Sequence, residues 1–216
     1  LKVSICKLTF NDIKLAPRYS EKIRGYLGSK YSEIDILHNH VGDRFIYRYP
    51  LVQYKVISNT PMIIGINEGA NIVANIGVKD DEMILDGLKY NLFQKEIIKS
   101  SFDFGCAEDY VEYKFVNPWI ALNQKHIKEY KSSNKIEQEE ILKKILIGNI
   151  ISMAKGVKYS VDERISCWIN LKEKEVMLKG IKHIGFTGSF KVNFIIPDYL
   201  GLGKSVSRGF GAVIRR

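Results

Sequence analysis

Gly201-Leu-Gly-Lys-Ser-Val-Ser-Arg-Gly-Phe-Gly-Ala-Val-Ile-Arg-Arg216 is the stretch whose reading decides how this chain folds. Gly201 and Gly203 open a loop, and Lys204, Ser205 and Arg208 make it polar and basic. Gly209, Phe210 and Gly211 then lead into a short apolar strand. Glycine tolerates positive φ and close backbone approach, so such a loop can turn its N–H groups toward phosphate oxygens. A plain turn before a last hairpin strand needs one or two glycines. Four of them, interleaved with Lys204 and Arg208, favour an anionic ligand.

The rest of the composition is compatible with that ligand. A chain of 216 residues can bury one large core or two of about 100 residues each. Hydrophobic content of 45% beside 26% charged residues is that of a globular protein. No apolar run approaches the roughly 20 residues of a membrane span. Leu1 to Phe10 alternates like a strand and lacks the apolar core of a signal peptide. Cys6, Cys106 and Cys167 are odd in number and widely spaced, which predicts reduced thiols in a cytoplasmic protein. Net charge is +9, and it is unevenly spread. From residue 171 onward nine cations, Lys182, Lys191, Lys204 and Arg208 among them, face three anions. A basic region interleaved with Tyr and Phe suits a polyanion.

Periodicity and punctuation predict an α+β protein of two halves, residues 1–100 and 101–216. In the first, Pro17 opens a helix that Gly28 stops. Strands follow at Arg44 to Tyr47, Leu51 to Ile57 and Met62 to Ile66, then a short helix from Glu68 to Ile76. That order is β-α-β-β-α-β, the ferredoxin-like or RRM-like topology. Lys79 to Asp109 reads as polar and irregular and holds the boundary. In the second half a strand runs from Tyr110 until proline stops it at Pro118. The clearest helix, Lys135 to Lys155, follows an Asn134-x-x-Glu137 capping box and carries Ile141, Leu142, Ile145, Leu146, Ile150 and Met153 on one face. Strands at Val161 to Ile169 and His183 to Ile196, the glycine-rich loop and a last strand from Phe210 to Ile214 complete β-α-β-β-loop-β.

Candidate chemistry lies at His38 and His40. In an extended segment, side chains two residues apart share a face, so both imidazoles can address one point. Imidazole near its ordinary pKa of about 6.5 accepts a proton and imidazolium returns one. One on each side of a phosphodiester would supply base and acid for attack by a ribose 2′-OH. His-x-His also presents two nitrogen ligands to zinc, with Asp35 and Asp43 the nearest carboxylates. A purely structural role is the third reading. His126 and His183 have no neighbours that suggest chemistry.

The glycine motif resembles that of the repeat-associated mysterious protein (RAMP) superfamily, the RNA-binding proteins of CRISPR systems. Gly201, Gly203, Gly209, Phe210 and Gly211 occupy the motif positions. The stretch Asp35 to Val41, followed by Tyr47-Arg-Tyr-Pro-Leu-Val-Gln-Tyr-Lys55, is similar to the repeat-processing endoribonucleases of those systems, which carry a catalytic histidine just after the first helix. The commonest pattern has one histidine there; this chain has two. The resemblance covers nearly the whole chain. It implies two tandem ferredoxin-like domains with a C-terminal glycine-rich loop, the histidine pair in the first and the basic hairpin in the second. It also implies cleavage of CRISPR repeat RNA without metal or other cofactor. His38 and His40 would be catalytic, with Tyr47 and Tyr31 as candidate helpers and Lys30, Arg44 and Lys55 near the scissile phosphate. RNA contacts would come from Lys182, Lys191, Gly201, Gly203, Lys204, Ser205, Arg208, Gly209 and Gly211. Expected partners are the repeat RNA, a second copy of the chain and an interference complex that receives the product, with no membrane. A non-catalytic RNA-binding subunit and a metal-dependent nuclease are the rival readings.

Overall fold

The first strand, β1 (Lys2–Phe10), is buried from Val3 to Phe10 at most positions, as a central strand must be. The computed structural model of the protein describes the backbone of residues 1–38, 40–41, 44–45 and 48–216, and the side chains of 1–37 and 48–216. The chain forms two units. Residues Leu1–Asp103 with Val206–Gly209 make the first, and Phe104–Ser205 with Phe210–Arg216 the second.

In the first unit, β1 leads to α1 (Tyr19–Lys30) and a short α2 (Asp35–His38). A two-residue ladder of β2 (His40–Val41) and β3 (Arg44–Phe45) follows, then β4 (Val52–Ile57), β5 (Thr60–Ile66) and α3 (Glu68–Lys79). A hairpin of β6 (Glu82–Leu85) and β7 (Leu88–Asn91) precedes β8 (Lys95–Asp103). The main sheet has the antiparallel order β4-β5-β1-β8. Ile23 and Leu27 of α1 and Ala70, Val73 and Ile76 of α3 join Leu8, Val52, Tyr54, Val56 and Ile63 in one core.

The second unit has β9 (Gly105–Trp119), α4 (Gln124–Ser132), α5 (Lys135–Gly156), β10 (Cys167–Leu178), β11 (Ile181–Ile195) and β12 (Val213–Arg215). Its sheet order is β10-β11-β9-β12, so the strands of the two main sheets follow the same order relative to their sequence. Both sheets have the ferredoxin-like order. Asn134 accepts from the Ile136 and Glu137 amides while Glu137 accepts from the Asn134 amide, a complete capping box that starts α5. Leu142, Leu146, Ile150 and Met153 form its buried stripe. They lie over an aromatic core in which Trp119 stacks on Phe115 and donates Nε1–H to Asn149 at 3.0 Å.

Several local expectations are corrected. Helix α1 begins at Tyr19 and runs through Gly28 to Lys30, because Gly28 has no positive φ and Tyr31 N–H still donates to Leu27. Lys79 to Asp109 holds three strands and part of a fourth rather than irregular chain. β8 was hidden because it is an exposed edge with polar residues on both faces. Pro118 lies inside β9 rather than stopping it. It sits where β9 carries extra residues between its Phe115–Gly188 and Trp119–Phe186 pairs, a bulge where a missing N–H costs nothing. β10 starts only at Cys167, after the charged Asp162-Glu163-Arg164. The polar segment from Gln124, open to either a helix or a loop from its sequence, forms the helix α4 ahead of α5.

Candidate functional site

Leu37 is the buried anchor of the histidine segment. Its side chain is enclosed, and its carbonyl accepts a hydrogen bond from the Tyr54 hydroxyl at 3.1 Å. Tyr54 is itself fully buried on β4, and burial pushes its phenol pKa up, so the hydroxyl remains a donor at neutral pH. β4 thereby fixes the backbone one residue before His38, which ends α2, while His40 opens β2 opposite Phe45. The side chains of His38, His40, Arg44 and Tyr47 lie outside the described residues.

The end of α1 is tied down beside this segment. Lys30 Nζ pairs with Asp80 Oδ1 at 3.0 Å, and the Tyr31 hydroxyl donates to the same oxygen at 2.6 Å. Burial and the Asp80 hydrogen bond push the Tyr31 pKa up to about 12. Partial burial works against the Lys30 charge, but Asp80 outweighs it and the ammonium pKa is raised. Asp80, a residue the sequence reading passed over, is thus the shared acceptor for two of its candidates. An Asp just past a helix end gives no signal by itself.

Lys55 is not at a surface phosphate. Its side chain is fully buried, its ammonium has no hydrogen-bond partner among the described residues, and burial alone drives its pKa down to about 7. It stands in a run of buried residues from Val52 to Val56, which a sequence alternation could not reveal because both faces of the strand are covered.

The glycine-rich loop is built differently from its expectation. The amides of Leu202, Lys204, Gly209 and Gly211 donate to the carbonyls of Gly211, Ile120, Val206 and Pro118, so they are not aimed at a ligand. The glycines serve close packing instead. A Cβ on Gly209 (φ +95°) would stand 2.5 Å from the Ser20 hydroxyl, and one on Gly203 (φ +87°) 2.5 Å from the Trp119 indole nitrogen. Gly201 bridges Ala212. Ser205 adopts φ +57° and ends the part of the loop that belongs to the second unit. Residues 206–209 pack with the first unit, where Arg208 forms an ion pair with Glu21 at 3.1 Å. Lys204 Nζ donates to the Leu122 carbonyl at 3.1 Å, and burial lowers its pKa. On the hairpin, exposed Lys182 pairs with Glu175 and Lys191 lies 3.8 Å from Glu112. Among the described residues no three His, Cys, Asp or Glu side chains gather closely enough to hold a metal ion.

Residues 1–103 match the Cas6b N-terminal domain and residues 105–216 the Cas6b C-terminal domain. The chain belongs to the Cas6b family. A crystal structure of Cas6b is 38% identical with a TM-score of 0.96, covering all of both chains. The crystal structure of a CRISPR RNA processing endoribonuclease Cas6b is 35% identical with a TM-score of 0.82, again over all of both chains. The protein MJ0978 of Methanocaldococcus jannaschii is 50% identical over 114 residues, 52% of this Cas6b chain and 78% of its own.

Proposed function

We propose that this Cas6b chain is an endoribonuclease that cuts CRISPR repeat RNA into guide units. The observation that carries the reading is the end-to-end match to a 35% identical CRISPR RNA processing endoribonuclease. The hydrogen bond from buried Tyr54 to the carbonyl of Leu37, the residue before His38, supports it further.

The mechanism follows from the residue types. One imidazole of the His38–His40 pair takes the proton of a ribose 2′-OH as its oxygen attacks the adjacent phosphorus. The other protonates the departing O5′ as the P–O5′ bond breaks. The products are a 2′,3′-cyclic phosphate and a free 5′-OH, with no water consumed and no metal required. Each positioned acid or base contributes typically 10²–10⁴ in rate. Tyr47 and Arg44 assist at the phosphate. Lys30 and Tyr31, tied to Asp80, hold the end of α1 from which α2 departs. Lys182, Lys191, Lys204 and Arg208 act on the RNA backbone through their charge. The protein works in the cytoplasm, in keeping with its three unpaired cysteines, as a homodimer that hands its product to an interference complex. None of its described helices is long and apolar enough to cross a membrane.

The test is cleavage of a repeat RNA in excess EDTA, with and without a 2′-deoxy nucleotide before the cut. Cleavage survives the chelator, and the deoxy substrate binds normally but stays intact. Cutting of the deoxy substrate, or activity lost to EDTA and restored by zinc or magnesium, would assign the reaction to a metal-activated water instead.

A further inference from the structure

We propose that the open face of the second unit's sheet is a stacking platform for unpaired RNA bases, with Tyr110 and Trp168 as its aromatic pair. The inference rests on RNA being the substrate and adds a binding site that neither the histidines nor the glycine loop supplies.

Along β9, buried Val111, Tyr113 and Phe115 alternate with Tyr110, Glu112 and Lys114, so the second set shares the opposite face. Register carries that face across the sheet. Glu112 pairs with Lys191 and Lys191 with Trp168, while Lys114 pairs with Ser189 and Ser189 with Asn170. Lys172 follows two residues after Asn170. The Tyr110 and Trp168 rings meet edge to face, 4.3 Å apart, yet remain 45% and 53% exposed. A core would have hidden them. An exposed aromatic pair of this size on a sheet face marks a binding surface.

Charge selects the occupant. Lys114, Lys172, Lys191 and Arg216 outnumber the carboxylates beside them on β9, Glu108 and Glu112, and Lys191 and Arg216 already share Glu112. Lys114 and Lys172 have no carboxylate within ion-pair distance among the described residues. Aromatic faces ringed by uncompensated cations and by amide and hydroxyl groups (Asn170, Ser189) suit bases flanked by phosphates. Sheets of this topology use exposed aromatics in that way. An apolar protein partner would find too much unpaired positive charge here.

The experiment uses the full chain and two probes, a 12-nucleotide oligouridylate and a ribose-phosphate 12-mer without bases. Trp119 is fully buried, so a fluorescence change on binding reports the chain's one other tryptophan, Trp168. The oligouridylate quenches it and the baseless strand does not. Trp168→Ala weakens oligouridylate binding about 5- to 150-fold, the range of one stacked base. It leaves the baseless strand's affinity and the salt slope unchanged, whereas Lys191→Ala lowers the slope by about 0.7. Trp168→Phe retains most of the affinity, which excludes a folding defect. Oligouridylate binding that is equal in wild type and Trp168→Ala, or an equal loss with both probes, overturns the platform while RNA binding itself stands. A wild-type protein that binds neither probe nor repeat RNA overturns the endoribonuclease reading and the platform together.

Discussion

β4 and β10 occupy the same outermost place in two sheets of identical order, yet they meet their surroundings in opposite ways. β4 is buried at every residue from Val52 to Val56, Gln53 and Lys55 included. β10 alternates: Cys167, Ile169 and Leu171 turn inward while Trp168, Asn170 and Lys172 stay exposed. Topology therefore fixes where a strand runs and not what it offers. A strand covered on both faces has no surface for a polyanion, and its one cation becomes a cost. A strand covered on one face can present aromatics and lysines to RNA. In the function proposed above, the loops of the first unit carry the chemistry and the sheet of the second the grip.

The largest effect expected on that contrast comes from Lys55. In the unfolded chain this lysine holds its proton up to its ordinary pKa of 10.5, whereas in the fold it loses it at about 7. The unfolded state thus binds more protons between those values, and stability rises with pH across the window. Below pH 7 both states are protonated and the cost of the buried charge is present in full. Each pH unit within the window is worth up to about 1.4 kcal/mol. Lys55→Met, which keeps the volume, should stabilise the protein most at pH 7 and below, with the gain shrinking toward pH 10. Urea unfolding of both proteins from pH 6 to 10 measures this. Parallel curves would mean that Lys55 is hydrated or paired, and would dissolve the contrast with β10.

A smaller effect sharpens the role of the loop. Gly209→Val forces a β-branched side chain into φ +95° and against Ser20. Backbone strain of this kind costs about 1–3 kcal/mol, which lowers the midpoint of a chain this long by roughly 2–12 °C. Thermal unfolding reads it directly. A midpoint equal to the wild type would show that residues 206–209 do not need their close approach to α1.

Much of the architecture was legible because it depends on local signals. The Asn134–Glu137 box and the spacing of Leu142, Leu146, Ile150 and Met153 identify α5 without any tertiary knowledge. The strands Leu51 to Ile57 and Met62 to Ile66 stand out between turn residues. What stayed hidden depends on neighbours in space. β8 carries polar residues on both faces and is exposed along almost its whole length, so it has no period to read. Pro118 mimics a stop because a bulge excuses its missing N–H. In the candidate site, the His-x-His spacing was plain, but Asp80 as the common partner of Lys30 and Tyr31 is a contact across about fifty residues. Lys55 looked like a surface cation because a strand's second covered face leaves no mark in its own sequence. The glycine loop was visible as a motif, while its use for packing, with four amides already donating, emerges only from the fold.

The proposed division between a cutting unit and a gripping unit is tested most directly by His38→Ala with His40→Ala in one protein. Single-turnover cleavage of a repeat RNA at saturating protein is measured beside the affinity for the same RNA in uncleavable 2′-deoxy form. The account predicts a rate reduced by at least about 10², the low end for one positioned acid or base, with affinity within about twofold of the wild type. Cleavage at the wild-type rate would contradict it.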